Sequence, residues 1–285
     1  MNINPRAQQK SVEVLSNKRV GSYNHMVFAV GEMAVRTKPG NFVAIAVGGA
    51  SSNLILRRAF AVYRASDRGQ YGGTIELVVA AHGSGSRWLA ERELHDRVDM
   101  VGPLGTSFGI PTEPVHALLI GGGYGSAPLF GLAEVLKAKG CRVDMILGAS
   151  TASRIYAPLE GKRSVTSMNL VTEDGSAGSR GRVTDAAPGL IEKYGTEIIY
   201  SCGPMAMLAA VDRIATERAI LHQCAVEESM ACGIGVCMTC VIPLRGDDGL
   251  VRMTRSCIDG PVVDGSKVLW GSERQIPPGT WGAPV

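Results

Sequence analysis

The sequence predicts a multidomain fold of the α/β and β classes: an N-terminal β-barrel, a Rossmann-like α/β domain and a small, cysteine-rich C-terminal domain. Short apolar segments separated by glycines fill residues 1–110. Strand-like and helix-like segments alternate over residues 111–221, and four of the seven cysteines crowd into residues 232–257 of the last segment, 222–285. Many short strands favour a barrel, and alternating strands and helices favour a parallel sheet.

Composition excludes several classes of protein. The 285 residues are 45% hydrophobic and 19% charged, which is typical of a globular chain with more than one domain. A net charge of +3 gives no indication of nucleic acid or of an anionic membrane as a partner. Glycine accounts for 36 residues, about twice the usual share, and predicts tight turns and close approach of the backbone to ligands.

The sequence shows neither a secretory signal nor a membrane span. Its first residues lack an apolar segment, and the longest apolar run, residues 117–133, is broken by glycines and by Pro128. We therefore expect a cytoplasmic protein with no transmembrane helix. Clustered cysteines in a reducing compartment indicate a metal site before they indicate disulfides.

The barrel domain is expected to contain five strands, at residues 12–20, 23–30, 41–47, 60–66 and 74–81. A short helix is expected within residues 85–98, where Trp88 and Leu89 stand among charged residues. Arg57 and Arg58 lie at the fourth strand and could bind a phosphate bidentately. The alternative is a solvated arginine pair on the rim of the barrel.

The α/β domain is expected to contain strands at residues 115–123, 141–150, 164–174 and 196–203, and helices at residues 127–140 and 204–219. Glycine-rich turns follow the first and the last of these strands and open a helix, so they could bring a pyrophosphate close to the backbone. A tight turn without a ligand is the alternative. The candidate nucleotide-binding residues are Gly121, Gly123, Gly125, Pro128, Cys202, Gly203 and Pro204.

The strongest motif is a cysteine pattern. Cys232, Cys237 and Cys240 are spaced C-x4-C-x2-C, and Cys257 follows, which is the plant-type [2Fe–2S] ligand pattern. Glycines between the first two cysteines let backbone N–H groups turn toward the sulfurs. A structural zinc site and unligated cysteines are the alternatives. The other three cysteines are expected to be ordinary buried thiols.

The order of barrel, nucleotide domain and plant-type cluster resembles the ferredoxin–NADP reductase superfamily. Within it, the segments EESMACGIGVCMTCVIPL and RSCIDGPVV resemble the electron-transfer subunits of class B dihydroorotate dehydrogenase. The resemblance covers nearly the whole chain. CGIGVCMTC is its specific part, whereas GGGYGSAP and CGPMAML are shared across the superfamily.

The resemblance implies FAD in the barrel domain. The family's Arg-x-aromatic-Ser/Thr motif falls on Arg58 to Ala61, where Ala61 replaces the hydroxyl residue that usually lies near flavin N5. A second flavin stretch and a Gly-Thr pair, here Gly-Ser, follow. The implied flavin contacts are Arg58, Ala59, Phe60, Ala61, Val78, Val79, Ala80, Gly85 and Ser86.

The resemblance also implies an activity: an NAD-dependent oxidoreductase subunit of pyrimidine (UMP) biosynthesis. Electrons pass between NAD(H), FAD and a [2Fe–2S] cluster and reach the FMN of a separate subunit that oxidises dihydroorotate. A flavin suits this position because it can exchange electrons in pairs or singly. A heterotetramer of two copies of each subunit is implied, and this chain would have no dihydroorotate site and no catalytic acid or base.

Other residues bear on the choice of coenzyme and on metal binding. Arg154 follows the second strand of the α/β domain and could accommodate a 2′-phosphate, or could lie on a surface loop; NADH is expected from the resemblance. Asp144, at about the right distance for a ribose contact, lies inside the strand. No histidine spacing suggests a metal site or a proton relay, so each is expected to be packed or at the surface: His25, His82, His95, His116 and His222.

Two competing functions remain at this point. One is a reductase of the same superfamily that serves a hydrogenase, a sulfide or glutamate-linked enzyme, or an oxygenase. The other is an iron–sulfur redox-sensing regulatory protein. An obligate partner predicts an exposed apolar patch near the cluster, formed by Met230, Ile234, Val236 and Met238.

Overall fold

The structure, a computed structural model, describes residues 7–49, 52–69 and 71–271. The end of the predicted C-terminal domain, residues 272–285, therefore lies outside the described residues. Residues 8–104 form one closed barrel, in the strand order β1-β2-β5-β4-β3-β6. Its elements are β1 (Gln8–Val20), β2 (Tyr23–Ala29), α1 (Met33–Arg36), β3 (Phe42–Ile45), β4 (Arg58–Ser66), β5 (Thr74–Val79), α2 (Ser84–Ala90) and β6 (Arg97–Leu104).

The barrel confirms the predicted fold and adds one strand to the five expected. The helix predicted within residues 85–98 ends at Ala90, and β6 begins at Arg97. The charged residues between them form a turn in which His95 has a φ of 72°. Strand β6 pairs with both β1 and β3, so it is the strand that closes the barrel.

The chain beyond the barrel forms a sheet of seven strands, in the order β10-β9-β8-β7-β11-β12-β15. All its pairings are parallel except that of β12 with β15. Helices pack on both faces, as in a doubly wound fold. The elements are β7 (His116–Gly122), α3 (Ala127–Ala138), β8 (Arg142–Ala149), α4 (Pro158–Ser164), β9 (Ser167–Thr172), β10 (Ser179–Arg180), α5 (Val183–Tyr194), β11 (Ile198–Cys202), α6 (Met205–Glu217), β12 (Leu221–Ala225) and β15 (Val262–Asp264).

The cysteine-rich part returns to this sheet. The sequence division after residue 221 falls at the first residue of β12, so the sheet continues four residues further. Beyond it lie the four predicted ligand cysteines and a hairpin of β13 (Val241–Arg245) and β14 (Val251–Arg255). Strand β15 then pairs with β12, and the backbone N–H of Thr106, just after β6, donates to the carbonyl of Gly260 at 2.6 Å. The cysteine-rich part is therefore bound to both larger units.

The helices are short. Over the described ranges, none is long and apolar enough to cross a membrane.

Candidate functional site

A cavity of about 530 Å³, here called the barrel cavity, lies where the barrel meets the sheet. Such a volume falls in the range of small-molecule sites. Most of the predicted flavin residues line it, together with four of the predicted nucleotide residues. These are Arg58, Ala59, Phe60, Ala61, Val78, Ala80, Gly85, Ser86, Gly125, Pro128, Cys202 and Gly203.

The two arginines of the predicted pair have different surroundings. Arg57 donates to both carboxylate oxygens of Asp99, at 3.2 and 3.0 Å, and to the Asp99 carbonyl at 3.0 Å. These bonds hold the Asp99 pKa below its usual value. Arg58 has no carboxylate partner among the described residues; it donates to the Leu56 carbonyl at 2.7 Å and lines the barrel cavity. Arg58 is thus the arginine available to an anionic ligand.

Gly85 brings the loop before α2 close to Arg58. A Cβ placed on Gly85 would lie 2.9 Å from the Val47 side chain and 3.1 Å from Nε of Arg58, so a larger residue would displace one of them. The Ser86 hydroxyl accepts the backbone N–H groups of His82 and Gly83, both at 3.1 Å. This loop and Arg58 together form a polar, positively charged end of the barrel cavity, which fits a phosphate-bearing ligand.

The side chains of the second predicted flavin stretch, residues 78–80, point alternately to opposite sides of the chain. Val78 packs in the apolar cluster shared with the sheet and lines the barrel cavity, as does Ala80. The side chain of Val79 points the other way and is buried in the core of the barrel. Ala61 also lines the cavity, and an alanine at position 61 offers no side-chain hydrogen bond.

A second cavity, of about 620 Å³ and here called the sheet cavity, lies at the carboxyl ends of the parallel strands. Both predicted glycine-rich turns face it, through Gly123, Gly125, Gly203 and Pro204. Gly121 does not line it; a Cβ there would lie 2.5 Å from that of Ser126, so this glycine allows the turn to fold back. The two glycine-rich turns therefore share one crevice.

Several residues of the sheet cavity were not identified from the sequence. Arg182 and Thr184, at the start of α5, and Glu173, just after β9, all line it. Arg154 also lines it, whereas Asp144 is buried in β8 and bonded to Arg142. Helix α5 was absent from the predicted elements, so no signal placed Arg182 and Thr184 at the cavity; Glu173 lies at the carboxyl end of the strand predicted at residues 164–174.

Five residues line both cavities: His82, Tyr124, Gly125, Gly203 and Glu227. We call them the junction. The Tyr124 hydroxyl donates to Glu227 at 3.1 Å, and burial together with this carboxylate raises the pKa of Tyr124 to about 12. His82 is exposed, in agreement with the expectation that the histidines are packed or at the surface. Burial, with a smaller contribution from Glu227, also raises the pKa of the Cys202 thiol to about 12.

The four predicted ligand cysteines meet as two pairs. The Cys237 thiol lies near Cys232, and the Cys257 thiol lies near Cys240. Among the described residues, no group of three or more His, Cys, Asp or Glu side chains converges on one point. Two thiol pairs side by side fit a cluster of two irons, because each iron then takes two thiolates.

The two pairs differ in exposure. Cys240 and Cys257 are buried against Phe42 and Leu104 of the barrel, and we call them the inner pair. Cys232 and Cys237 form the outer pair, and Cys237 is exposed. Hydrogen bonds from Thr239, the hydroxyl at 3.2 Å, and from Cys232 lower the pKa of Cys237 to about 6, which favours the thiolate that a metal requires.

The loop that carries the cysteines needs its glycines. Gly233 and Gly235 have φ values of 70° and 80°, in the region that favours glycine. A Cβ on Gly235 would lie only 1.8 Å from the Ile258 side chain. The backbone N–H of Val236 donates to the Cys232 sulfur at 3.3 Å, as expected of a loop with glycines between its first two cysteines.

Three of the four predicted patch residues are exposed: Ile234, Val236 and Met238, at 44%, 68% and 51%. Met230 is different, because it packs against the apolar cluster of the inner pair and lines the barrel cavity. Phe42 does the same. Apolar side chains therefore fill the space between the barrel cavity and the inner pair.

A second hydrogen-bonded group lies away from the cavities. The Ser201 hydroxyl is 2.7 Å from Nε2 of His222, whose Nδ1 is 3.0 Å from Asp212. Asp212 also accepts the indole N–H of Trp270 at 3.0 Å. Ser201 is fully buried, so this arrangement is a structural link between the sheet and the C-terminal segment, and not a nucleophile.

Family models match two parts of the chain. One, described as the oxidoreductase NAD-binding domain, matches residues 119–213. The other, described as the iron–sulfur cluster binding domain of dihydroorotate dehydrogenase B, matches residues 227–269. With the barrel, the two cavities and the thiol pairs, these matches define the class: an NAD-dependent oxidoreductase of the ferredoxin–NADP reductase fold, with FAD and a [2Fe–2S] cluster as cofactors.

Relatives narrow this class to one family. The electron transfer subunit of dihydroorotate dehydrogenase B (NAD(+)) from Geobacillus thermodenitrificans (strain NG80-2) is 32% identical, covering 92% of this chain and 98% of the relative. The subunit of the same name from Bacillus mycoides (strain KBAB4) is 35% identical, covering 90% and 96%. The chain belongs to the family of dihydroorotate dehydrogenase B electron transfer subunits.

Solved structures agree with the fold. The NADH-dependent reduced ferredoxin-NADP oxidoreductase, a protein studied for flavin-based electron bifurcation, matches with a TM-score of 0.79 and 26% identity, covering 92% of this chain and 90% of that one. The ferredoxin reductase of carbazole 1,9a-dioxygenase matches with a TM-score of 0.61 and 20% identity, covering 75% and 67%. The second likeness extends to the fold alone.

Proposed function

We propose that this protein carries electrons between NAD(H) and the FMN of a separate dihydroorotate dehydrogenase catalytic subunit, in pyrimidine biosynthesis. The family membership supports the reaction. The observation that carries the route is the order of the sites: the sheet cavity adjoins the barrel cavity, which adjoins the inner cysteine pair. FAD in the barrel cavity would supply the exchange between paired and single electrons.

The barrel cavity would hold FAD through residues with separate tasks. Arg58 and the loop at Gly85 and Ser86 bind its diphosphate, because they form the cationic, polar end of the cavity. Val78, Ala80 and Pro128 supply apolar walls for the ring system. The flavin contacts proposed for Ala59, Phe60 and Val79 would be made by the backbone, or by the ring of Phe60.

The sheet cavity would hold the dinucleotide, with its pyrophosphate against Gly123 and Gly125 at the start of α3. Its nicotinamide lies at the junction, since this is the part of the cavity that the two sites share. Cys202 and Gly203 then border the hydride path. Arg154 and Arg182 lie along the same cavity as Glu173, so its charge is mixed.

The cysteines would ligate the cluster through Cys232, Cys237, Cys240 and Cys257. The inner pair faces the barrel cavity across Phe42 and Met230, and water is excluded there by packing. The outer pair faces solvent beside Ile234, Val236 and Met238. We propose that this exposed apolar surface docks the catalytic subunit, in a heterotetramer of two copies of each chain.

We place the protein in the cytoplasm. All seven cysteines are free thiols in the structure, which suits a reducing compartment.

Reconstitution tests the proposal. The cluster-loaded protein is mixed with the FMN-containing catalytic subunit of the same organism, and NADH formation from dihydroorotate and NAD⁺ is followed. Turnover should require both proteins and should be lost in Cys237→Ser, whereas Cys141→Ser, at a buried thiol outside the loop, should retain it. If NADH reduces the flavin and the cluster but dihydroorotate gives no turnover, the partner is a different one.

A further inference from the structure

The junction must change when nicotinamide meets flavin. Hydride transfer needs the two reacting atoms about 3–3.5 Å apart. Two junction residues are glycines, so the side chains between the cavities are those of His82, Tyr124 and Glu227. Tyr124 is the largest of them, and 38% of it is exposed to the open space of the cavities.

Contacts on three sides hold the Tyr124 ring in place. Its hydroxyl donates to Glu227 at 3.1 Å. Its ring lies 5.5 Å from that of His82, with planes inclined by 52°, and 6.2 Å from that of Tyr23, at 61°. Position 124 lies between Gly123, with a φ of 56°, and Gly125, so the backbone beside it can adjust.

We propose that Tyr124 is a positioning residue that occupies the place of the nicotinamide ring in the free protein, and that Glu227 first holds it there and then faces the incoming ring. This proposal rests on the proposed function of the two cavities. A planar ring would replace a planar ring, so the cavity keeps its shape whether or not dinucleotide is bound. Displacement breaks the hydrogen bond to Glu227 and leaves its carboxylate at the junction.

A free carboxylate at that point distinguishes the two forms of the coenzyme. The nicotinamide ring of NAD⁺ carries a positive charge, and that of NADH is neutral. Glu227 would therefore favour NAD⁺ over NADH by direct attraction. The Tyr124 hydroxyl does not contribute to this preference, because it has left the site when either form is bound.

Dissociation constants of the FAD- and cluster-loaded protein for NAD⁺ and NADH test both parts. Tyr124→Phe keeps the ring but loses the hydrogen bond, so both forms should bind up to about five-fold tighter, in an unchanged ratio. Glu227→Gln should shift the ratio toward NADH by at least about three-fold. Tyr194→Phe, on the far end of α5, is the matched control and should change neither constant.

The outcomes separate the possibilities. Weaker binding of both forms by Tyr124→Phe would mean that the tyrosine contacts the coenzyme directly, and an unchanged ratio in Glu227→Gln would remove the carboxylate's role; either result overturns the proposal. Both variants are compared with the wild-type protein, which is expected to bind FAD and to be reduced by NADH. A wild type that fails in this respect contradicts the proposed function itself.

Discussion

Gly125 and Gly203 touch across the crevice between β7 and β11: a Cβ on Gly125 would lie 2.8 Å from Cα of Gly203. Each belongs to one of the two glycine-rich turns, and both line both cavities. The two turns can therefore meet only because neither position carries a side chain. The sites for coenzyme and flavin share this point of contact.

Gly125→Ala should weaken NADH binding by about ten-fold or more. Its Cβ would clash with the backbone of Gly203, which cannot move aside as a flexible side chain does. The measurement is the dissociation constant for NADH. Gly189→Ala is the control, since a Cβ there meets nothing within 4 Å. Within helix α5 that change should leave binding intact and stabilise the protein by up to about 1 kcal/mol. Equal effects of the two variants would refute the steric argument.

Arg58→Leu should release FAD, since Arg58 is the cation at the polar end of the barrel cavity. Loss of one charge-assisted bond corresponds to about ten- to hundred-fold weaker retention, measured as the FAD content after gel filtration. The matched variant Arg57→Leu should keep its FAD and lose stability instead, because Arg57 is bound to Asp99. A variant pair with the reverse pattern would show that the two arginines have been assigned the wrong tasks.

The Arg57–Asp99 pair also predicts a pH dependence. The pKa of Asp99 is lowered in the folded state. The stability that its ionised form contributes is therefore present above the unfolded pKa of about 3.9 and is lost as the pH falls through the lower, folded value. Asp99→Asn should therefore lower the melting temperature at neutral pH. The corresponding loss of unfolding free energy should be about 1 kcal/mol or less, because the pair is partly exposed. The difference from wild type should shrink as acid is added below about pH 4. A difference that grows in acid would contradict this.

Gly235→Ala should prevent stable assembly of the cluster, because its Cβ would lie 1.8 Å from the Ile258 side chain. The control is Gly249→Ala: its φ of 79° matches the 80° of Gly235, but nothing lies within 4 Å of its Cβ. Backbone strain of about 1–2 kcal/mol is common to both variants, so their difference isolates the clash. Iron content and visible circular dichroism report the cluster. Similar iron loading in both would exclude the clash as the cause.

Met238→Asp should weaken binding of the catalytic subunit by ten-fold or more if the exposed loop is the docking surface, since it puts a charge into an apolar contact. The affinity is measured by titration of the two subunits. Leu221→Asp is the control, because Leu221 is also an exposed apolar residue but lies at the start of β12. An unchanged affinity for Met238→Asp would place the interface elsewhere.

Local patterns predicted much of this molecule. Alternating and buried apolar runs identified most strands, and the cysteine spacing identified a cluster site, because both signals lie within a few residues of sequence. Strand β6 was missed since it follows directly on a charged turn. The junction could not be predicted, because His82, Tyr124 and Glu227 come from segments far apart in the chain, and the motifs that contain Tyr124 and Glu227 do not show that these segments meet. Only the packing of barrel against sheet brings them together.

The antiparallel pairing of β15 with β12 has a consequence for how fast electrons can move. In many electron-transfer proteins a mobile carrier domain moves on a linker between its electron donor and its acceptor, and the rate of electron transfer is limited by that motion. Here the cysteine-rich part is joined to the sheet by strand pairing, and the indole N–H of Trp270, near the end of this part, donates to Asp212. The distance from the barrel cavity, which would hold the flavin, to the inner pair, which would ligate the cluster, is thereby fixed at folding, so transfer inside this chain should be insensitive to solvent viscosity.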